Sequence, residues 1–465
     1  NLIMAHGTDE QKRRYAEPMM AGRFFGTMCL TEPHAGSSLG DIKSRAIPQD
    51  DGTYRISGNK IFISAGDHEL SENIVHLVLA KLPDAPPGAK GISLFIVPKF
   101  LVNDDGSLGE RNDVQLAGLI HKMGYRGTTS TMLNFGEKGG AVGYLVGEPH
   151  NGLAGMFHMM NEARIGVGLG SVMLGYTGYL HALDYARERT QGRGMAERDP
   201  NTPMIPLVQH ADIRRLLLAQ KAFVEGGLSL CLFSSTLVDE KKHSPDAAVR
   251  EEAAGLLDLL TPIVKSWPSQ FCLEANSLAI QVHGGYGYTR EYPVEQFYRD
   301  NRLNPIHEGT HGIQGQDLLG RKVTMAGGRF YQSLLTRIRA TLDECASFAE
   351  LKANAELLSA ALSTVEEVTE ALQAMKKSEP DRALANAYLY MECFGHLVVG
   401  WLWLRQAQAA LRGLQNGGER PASFYQGKLN ACDYFLRYEL PKPLALAEVL
   451  RSADRTTLDM PLDCF

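Results

Sequence analysis

Two stretches, QVHGGYGYTREYPVE at residues 281–295 and IHEGT at residues 306–310, decide the fold of this 465-residue chain. The first follows a long helical pattern, and its glycines break the helix and leave backbone amides free for a ligand. The second places one carboxylate, Glu308, at the start of another helix. Each stretch alone is compatible with an ordinary loop, but their spacing together indicates a functional site.

Two further motifs lie nearer the amino terminus. MCLTEPHAGSS, residues 28–38, is rich in small and hydroxyl residues, so its backbone amides can converge on an anion or a heteroaromatic edge. GNKIFISAG, residues 58–66, sets an aromatic residue two positions before a hydroxyl on one strand face, where the pair can cover a flat ring and bond its edge. Taken alone, the first is equally compatible with a turn and the second with plain sheet packing.

The hydrophobic pattern divides the chain into a β-rich part and a helical part. Residues 43–47 and 54–64 alternate apolar and polar side chains around the turn signal at 49–52, which predicts a β-hairpin. Later segments have the three- and four-residue spacing of helices. The other predicted strands are 74–80, 92–97 and 131–135, and the predicted helices are 151–189, 207–240, 246–283 and 308–324.

These motifs, in this order, resemble the acyl-CoA dehydrogenase family over most of residues 1–322. The resemblance implies a multidomain α+β fold of N-terminal helices, a middle β-domain and a C-terminal four-helix bundle, with FAD between β-domain and bundle. The helices that follow are similar to the long branch that includes the 3-methylmercaptopropionyl-CoA dehydrogenases. The expected segments are a remnant of the N-terminal helical domain (1–23), the β-domain (24–147), the bundle with the catalytic Glu (148–328) and an appended helical domain (329–465).

The resemblance implies that Glu308 is the catalytic base. It would remove the α-proton of an acyl-CoA thioester while a hydride leaves the β-carbon for flavin N5, giving the trans-2-enoyl-CoA. A carboxylate in a dry, apolar site has its pKa raised toward the working range, which suits this task. The backbone N–H of Glu308 and a flavin ribityl hydroxyl are implied as donors to the thioester oxygen. The competing interpretation of Glu308 is a carboxylate stabilised by a helix dipole.

Cofactor and substrate contacts are implied in the same way. Arg189 would reach the FAD pyrophosphate of a neighbouring subunit, since a guanidinium binds phosphate bidentately, and this implies a homodimer or a dimer of dimers. His307 stands where the family commonly has Tyr, and we expect a packed neutral imidazole. Phe62 replaces the usual Trp and keeps its stacking face. The implied FAD contacts are Thr31, Phe62, Ser64, Arg189, Gln191, Gln281, Gly284, Gly285 and Thr310; the implied substrate contacts are Ser37, Arg164 and His307; no metal ligand is expected.

Composition narrows the class of protein. With 47 Lys and Arg against 53 Asp and Glu, the net charge is −6, which argues against sequence-independent binding of nucleic acid. Seven cysteines without a CxxC pair argue against a disulfide framework or a zinc ribbon and favour buried thiols in a reducing compartment.

Residues 165–183 carry no charge, but five glycines make a buried helix a better interpretation than a membrane span. We expect a cytoplasmic protein without a signal peptide, with peripheral membrane association as the alternative.

Three functions remain open at this point. The first is an acyl-CoA dehydrogenase of fatty acid β-oxidation that passes electrons to electron-transfer flavoprotein. The second is a nucleic-acid-associated alkylation-response flavoprotein of the same fold, which would need a basic face that the appended helices do not offer. The third is an acyl-CoA oxidase, whose reduced flavin reacts with O₂. The sequence does not fix the acyl chain length.

The appended helices carry an apolar stripe along 351–372 and two tryptophans, Trp401 and Trp403. An exposed stripe of this length would aggregate, so we expect these helices to pack on the rest of the protein. This predicts a structural and assembly role. The alternative is a cap that narrows the acyl entrance.

Overall fold

The computed structural model describes residues 1–156 and 162–465 in full and the helical backbone alone for residues 157–161. The chain divides into two compact units, Asn1–Glu162 and Ala163–Phe465. The finer division into four segments remains a prediction.

The first unit begins with short helices. Thr8 and Gln11 form a capping box, in which each backbone N–H donates to the other residue's side chain at 3.1 Å. Pro18 lies in the first turn of the last helical segment. The segments are α1 (Leu2–His6), α2 (Asp9–Gln11), a π-helical stretch (Lys12–Ala16) and α3 (Glu17–Met20).

Ten strands follow in the first unit. Eight form one sheet in the order β1-β4-β5-β10-β3-β9-β8, with β2 beside β3 and β4, and β6 pairs with β7 separately. The predicted hairpin is confirmed, since β2 pairs antiparallel with β3 and Pro48 lies opposite Tyr54. The strands are β1 (Phe24–Cys29), β2 (Arg45–Pro48), β3 (Tyr54–Ser64), β4 (Asn73–Lys81), β5 (Ile92–Pro98), β6 (Phe100–Val102), β7 (Leu108–Arg111), β8 (Val114–Leu119), β9 (Ser130–Phe135) and β10 (Ala141–Leu145).

The sheet is buried on both faces at its centre. All seven residues of β5 are buried, which explains why this strand is a continuous apolar run in the sequence. One face packs against α1 and its neighbours, and the other contains Ile56, Val78 and Phe95. The rigid centre supports the loops that follow β1 and the irregular strand β3.

The second unit is helical, and the first turns of its first helix belong to the first unit. Its helices share one continuous core, which the appended helices join through buried Trp401 and Trp403. The apolar stripe of residues 351–372 is also buried in this core, as expected. The helices are α4 (Gly152–Glu188), α5 (Ala211–His243), α6 (Ala247–His283), α7 (Val294–Asn301), α8 (His311–Gly320), α9 (Arg329–Cys345), α10 (Lys352–Lys376), α11 (Pro380–Leu384), α12 (Ala387–Gln415), α13 (Ala422–Tyr434), α14 (Pro441–Leu444), α15 (Ala447–Arg451) and α16 (Thr456–Asp459).

The cysteines and the apolar helices agree largely with the predictions of buried thiols and a buried helix. Six cysteines are buried free thiols, whereas Cys464 near the carboxyl end is exposed. Within the described residues, one helix, α5, is long and apolar enough to cross a membrane, and 67% of its most apolar window is buried inside the protein. The charge-free run at 165–183 forms part of α4.

Candidate functional site

Strand β3 presents Phe62 on a β-bulge. The register with β9 shifts between Lys60 and Ile63, and Phe62 has a φ of 61°, which is uncommon for a residue with a side chain. Phe62 is 62% exposed. The amide of Ile61 donates to the carbonyl of Thr31 at 3.0 Å, so the bulge is tied to the loop that follows β1. Thr31 therefore lies beside the strand segment that carries Phe62 and the exposed Ser64.

A buried ion pair holds this loop in place. Lys60 Nζ lies 3.0 Å from Glu32 Oε1 and donates to the carbonyl of Leu30 at 3.0 Å. Glu32 also accepts hydrogen bonds from the hydroxyl of Ser44 and from two backbone amides. Burial lowers the pKa of Lys60; burial opposes ionisation of Glu32 too, but Lys60 and these hydrogen bonds keep the Glu32 pKa below its usual value. The sequence analysis did not predict this ion pair, which fixes the residues on both sides of Thr31.

The turn before α8 carries Glu308 in an unusual backbone conformation. Glu308 has a φ of 56° and Gly309 a φ of 91°. Gln314 Nε2 donates to the Glu308 carbonyl at 2.9 Å, and Lys265 Nζ donates to the Gly309 carbonyl at 2.6 Å. No described residue accepts a hydrogen bond from the Glu308 N–H. Both carbonyls of the turn are thus fixed, while one amide remains available for a ligand.

Two cations face Glu308 in this unit. Burial raises the pKa of Glu308, and the charges of Arg164 and Lys265 oppose that rise. Burial lowers the pKa of Lys265 to about 7, with Glu308 opposing the shift. Arg164, one of the implied substrate contacts, lies well inside α4 and is buried. A carboxyl with a raised pKa under the influence of two buried cations is suited to proton transfer.

Two histidines flank the turn. Burial, followed by the charge of Lys265, lowers the pKa of His307 to about 4, so this imidazole is neutral, as expected. His311 also has its pKa lowered to about 4 by burial, then by Lys265 and Arg302. Thr310 is the N-cap residue of α8. No further cationic charge therefore comes from these imidazoles near neutral pH.

The carboxyl end of α6 forms an open, glycine-lined surface. Gly284 has a φ of 61°, and a Cβ built on Gly284 or Gly285 would meet nothing within 4 Å. Gln281 in the last turn of α6 is exposed beside them. The guanidinium carbon of Arg189 lies 6.0 Å from the ring centroid of Tyr286, which follows the glycines. Arg189 Nη2 also lies 3.5 Å from Gln191 Oε1. The structure therefore brings Arg189, Gln191 and the glycines together.

The residues fit the flavin dinucleotide that the sequence motifs imply. Phe62 offers an uncovered aromatic face for a flat ring, with Ser64 on the same strand. The space above Gly284 and Gly285 admits a group that a side chain would block, and Arg189 beside it supplies a phosphate-binding guanidinium. Ser37 is exposed in the loop between β1 and β2. The first unit contains Thr31, Ser37, Phe62 and Ser64, and the second contains Arg164, Arg189, Gln191, Gln281, Gly284, Gly285, His307, Glu308 and Thr310.

Sequence reasoning missed Lys265 and Gln314, which hold the Glu308 turn. Lys265 could have been found from its setting, because it is the one charge in an apolar stretch of α6 between Pro262 and Pro268. A lysine fully buried in such a stretch requires a hydrogen-bond acceptor or a functional reason. Gln314 offers no comparable signal.

Three family models match the chain. They are "Acyl-CoA dehydrogenase, middle domain" at residues 27–137, "Acyl-CoA dehydrogenase, C-terminal domain" at 150–322 and "Acetyl-CoA dehydrogenase C-terminal like" at 334–461.

Curated proteins and solved structures agree with these matches. The 3-methylmercaptopropionyl-CoA dehydrogenase of Ruegeria pomeroyi is 42% identical over 93% of this chain and 73% of its own length. Subunit CarC of the caffeyl-CoA reductase-Etf complex of Acetobacterium woodii is 30% identical over 68% of this chain and 72% of its own. The crystal structure of an acyl-CoA dehydrogenase complexed with FAD from Bacillus anthracis covers 99% of this chain and 77% of its own, with a TM-score of 0.75 and 20% identity, and so supports the fold.

Proposed function

Because this chain belongs to the acyl-CoA dehydrogenase family and is an FAD-dependent acyl-CoA dehydrogenase, we propose that Glu308 is the base that removes the α-proton of the bound thioester. The observation that carries this assignment is the Glu308 turn itself. Glu308 is half-buried and its pKa is raised, the two carbonyls of the turn are fixed, and no described residue accepts a hydrogen bond from the Glu308 N–H.

The turn supplies two functions from neighbouring atoms of one residue. The Glu308 carboxylate accepts the α-proton, and its raised pKa makes it a stronger base than an exposed glutamate. The Glu308 N–H donates a hydrogen bond to the thioester oxygen, on which negative charge develops as the proton leaves. FAD, when bound, accepts the hydride from the β-carbon. Arg164 and Lys265 limit how far burial disfavours the charged carboxylate.

We assign a role to each remaining site residue from the chemistry of its side chain. When FAD is bound, Thr31 and Ser64 would bond the edge of the flavin ring, Phe62 would stack on the ring, and Thr310 would contact the cofactor. Arg189 and Gln191 bind the pyrophosphate, and Gln281, Gly284 and Gly285 accommodate the ADP portion. Ser37, Arg164 and His307 contact the acyl-CoA. The exposed Phe62 ring and the open space at Gly284 and Gly285 support this division of roles.

The physiological partners follow from the same reaction. Electron-transfer flavoprotein is our proposed electron acceptor, supported by the relative that is a subunit of an Etf complex. We further propose a homodimer or a dimer of dimers, a cytoplasmic location and a role in fatty acid β-oxidation. The comparisons do not favour the nucleic-acid-associated alternative, since the relatives they give act on CoA thioesters.

Substitution of the base tests the assignment. Glu308→Gln keeps the shape of the side chain and removes its basicity, so flavin bleaching by acyl-CoA should slow by roughly 10²–10⁴-fold or more while FAD stays bound. The control is Glu392→Gln, which changes another partly buried glutamate of raised pKa, in helix α12, and should leave bleaching intact. Bleaching of Glu308→Gln at a near wild-type rate would exclude Glu308 as the base.

A substrate panel addresses the finer questions. Stopped-flow bleaching with acyl-CoAs of increasing length and with 3-methylmercaptopropionyl-CoA would rank the substrates. Reoxidation of the reduced enzyme by electron-transfer flavoprotein, compared with reoxidation by O₂, would separate a dehydrogenase from an oxidase. Fast reoxidation by O₂ alone would overturn the proposed acceptor.

A further inference from the structure

A chain of buried polar side chains lies behind the Glu308 turn. Asn276 on α6, Asn301 at the end of α7, Asn304 in the following turn and Ser171 on α4 are all almost fully buried. They bond to one another: Asn276 to Asn301 at 2.7 Å, Asn304 to Asn301 at 2.8 Å, and Ser171 Oγ to Asn301 Oδ1 at 2.6 Å. The chain ends at His307, whose Nε2 lies 3.0 Å from Asn304 Oδ1.

One backbone carbonyl fixes the direction of this chain. The Leu174 carbonyl can only accept, so the Asn276 atom 2.9 Å from it is the amide nitrogen, and Asn276 Oδ1 faces Asn301. Asn301 must then turn its nitrogen toward Asn276 and its oxygen toward Asn304. The amide nitrogen of Asn304 donates to that oxygen, which leaves Asn304 Oδ1 facing His307.

The orientation of Asn304 determines the tautomer of His307. An amide oxygen only accepts hydrogen bonds, so Nε2 of His307 must carry the ring proton. No described residue accepts a hydrogen bond from Nδ1, so the structure provides no partner for a second ring proton. Burial then disfavours the charged imidazolium.

His307 directly precedes Glu308, and the surrounding elements already supply positive charge. Lys265 from α6 acts on both residues and Arg164 from α4 acts on Glu308, whereas His311 at the start of α8 is neutral near pH 7 because its pKa is lowered to about 4. An imidazolium at position 307 would add a further cation there. It would stabilise the carboxylate of Glu308 and so weaken it as a base.

We propose that Asn304 is a positioning residue that fixes His307 as the Nε2–H tautomer, with Nδ1 left without an acceptor among the described residues, so that the buried imidazole stays uncharged beside the base at position 308. The proposal rests on the assignment of Glu308 as the base, but the tautomer can be measured independently of it. The same chain of buried polar side chains leaves Nδ1 of His307 as a neutral hydrogen-bond acceptor next to the base.

The first experiment measures the tautomer in the FAD-loaded wild-type protein. Histidine labelled with ¹⁵N gives two-bond ¹⁵N–¹H correlations that distinguish the tautomers, and His307→Gln assigns the signal by its loss. We expect the Nε2–H pattern, without titration between about pH 5 and pH 8, the range in which an ordinary imidazole changes charge. A protonated Nδ1, or titration within that range, would overturn the proposal.

The second experiment gives His307 a charge. Asn304→Asp keeps the size of the side chain but pairs the imidazole with a carboxylate, so kcat should gain an additional ionisation between about pH 5 and pH 8, with up to roughly tenfold lower kcat on its acid side. In Asn304→Asp/His307→Gln this ionisation should disappear, because the glutamine amide can donate to position 304 but cannot be protonated. An ionisation that persists in the double variant would show that the carboxylate introduced at position 304 acts without His307 and would contradict the proposal.

The experiments distinguish a failure of the assignment of Glu308 as the base from a failure of the proposed role of Asn304. If Glu308→Gln still bleaches the flavin, the base is another group, whatever the tautomer of His307. If Asn304→Asp does not fold, because its carboxylate would face Asn301 Oδ1, the tautomer of the wild-type protein still decides the inference. His307→Gln alone removes the imidazole, so its kcat profile should show no added ionisation between about pH 5 and pH 8, whatever the change in the size of kcat.

Discussion

Lys265 Nζ donates a 2.6 Å hydrogen bond to the carbonyl of Gly309, the residue that follows the proposed base. The lysine is fully buried in α6, and its ammonium is one of the two cations that oppose the rise of the Glu308 pKa. One side chain therefore fixes the backbone of the turn and modulates the basicity of its carboxylate. These two effects can be separated by experiment.

Lys265→Met should move the acid limb of the kcat profile to higher pH. Lys265 has a pKa of about 7, so below that pH its charge favours the carboxylate form of Glu308. Methionine removes the charge, the pKa of Glu308 rises further, and a higher pH is needed to ionise the base. The pH dependence of flavin bleaching, measured from single turnovers, gives the shift.

Lys376→Met is the matched control for this change. Lys376 also donates to a backbone carbonyl, that of Gly320 at 2.8 Å, but it lies on α10. The control should lower the free energy of unfolding by about 1 kcal/mol without moving the acid limb. An unshifted acid limb in Lys265→Met would show that the lysine has only a structural role.

Gly309→Ala should impair catalysis while leaving FAD bound. Gly309 has a φ of 91°, and an added Cβ would lie 2.4 Å from Gln314 Nε2, the group that bonds the Glu308 carbonyl. The turn must shift, and displacement of a catalytic group by about 1 Å can cost roughly 10²-fold in rate. Gly312→Ala, three residues later, meets nothing within 4 Å and should keep wild-type kcat. Equal rates in the two variants would show that the turn geometry does not limit the reaction.

Local patterns in the sequence predicted much of the fold. The β2–β3 hairpin and the long helices α4, α5 and α6 were found because hydrophobic periodicity and turn residues are local signals. Strand β8 was missed because most of its residues are exposed or half-buried, so they do not alternate in polarity. The outline of the architecture was therefore predictable, and its exposed edge was not.

The candidate site was predictable only where a motif names its residues. Glu308 stands in a recognisable motif, but the lysine that fixes its turn is 44 residues away from Gly309 in the chain. The left-handed backbone of Phe62 and Glu308 is also invisible in the sequence, since neither is glycine. Such features depend on tertiary contacts that no local pattern encodes.

Lys60→Met should destabilise the first unit and lower its flavin content. The substitution leaves the carboxylate of Glu32 buried without its ammonium partner, which typically costs about 3–5 kcal/mol. Adding Glu32→Gln to the Lys60→Met protein removes the unpaired charge and should restore part of the lost stability and flavin content. Thermal unfolding and the ratio of flavin to protein absorbance measure both effects. A stable, fully yellow Lys60→Met protein would show that the ion pair does not hold the Thr31 loop.

Arg189→Ala should weaken FAD retention and the oligomer together. We expect this guanidinium to reach a phosphate bound across a subunit interface, and loss of a charge-assisted hydrogen bond costs about 1.5–3 kcal/mol. Arg187→Ala is the control, because Arg187 is exposed in the last turn of α4, two residues before Arg189, and faces Asp184. Gel filtration and flavin content are the measurements. A yellow oligomer that survives Arg189→Ala would contradict the cross-subunit contact.

A chain that ends after Gly328 should aggregate or lose its assembly, because the appended helices complete the core of the second unit. The indole of Trp403 donates to the Ala222 carbonyl of α5 at 3.1 Å, and Trp401 packs edge-on against Phe233 of the same helix. Without them, α5 and α6 expose a large apolar face. A chain that ends after Asp454 lacks only exposed residues and should remain soluble and flavin-loaded. If the protein truncated after Gly328 instead stayed soluble and preferred acyl-CoAs of a different length, the appended helices would be a cap over the acyl entrance.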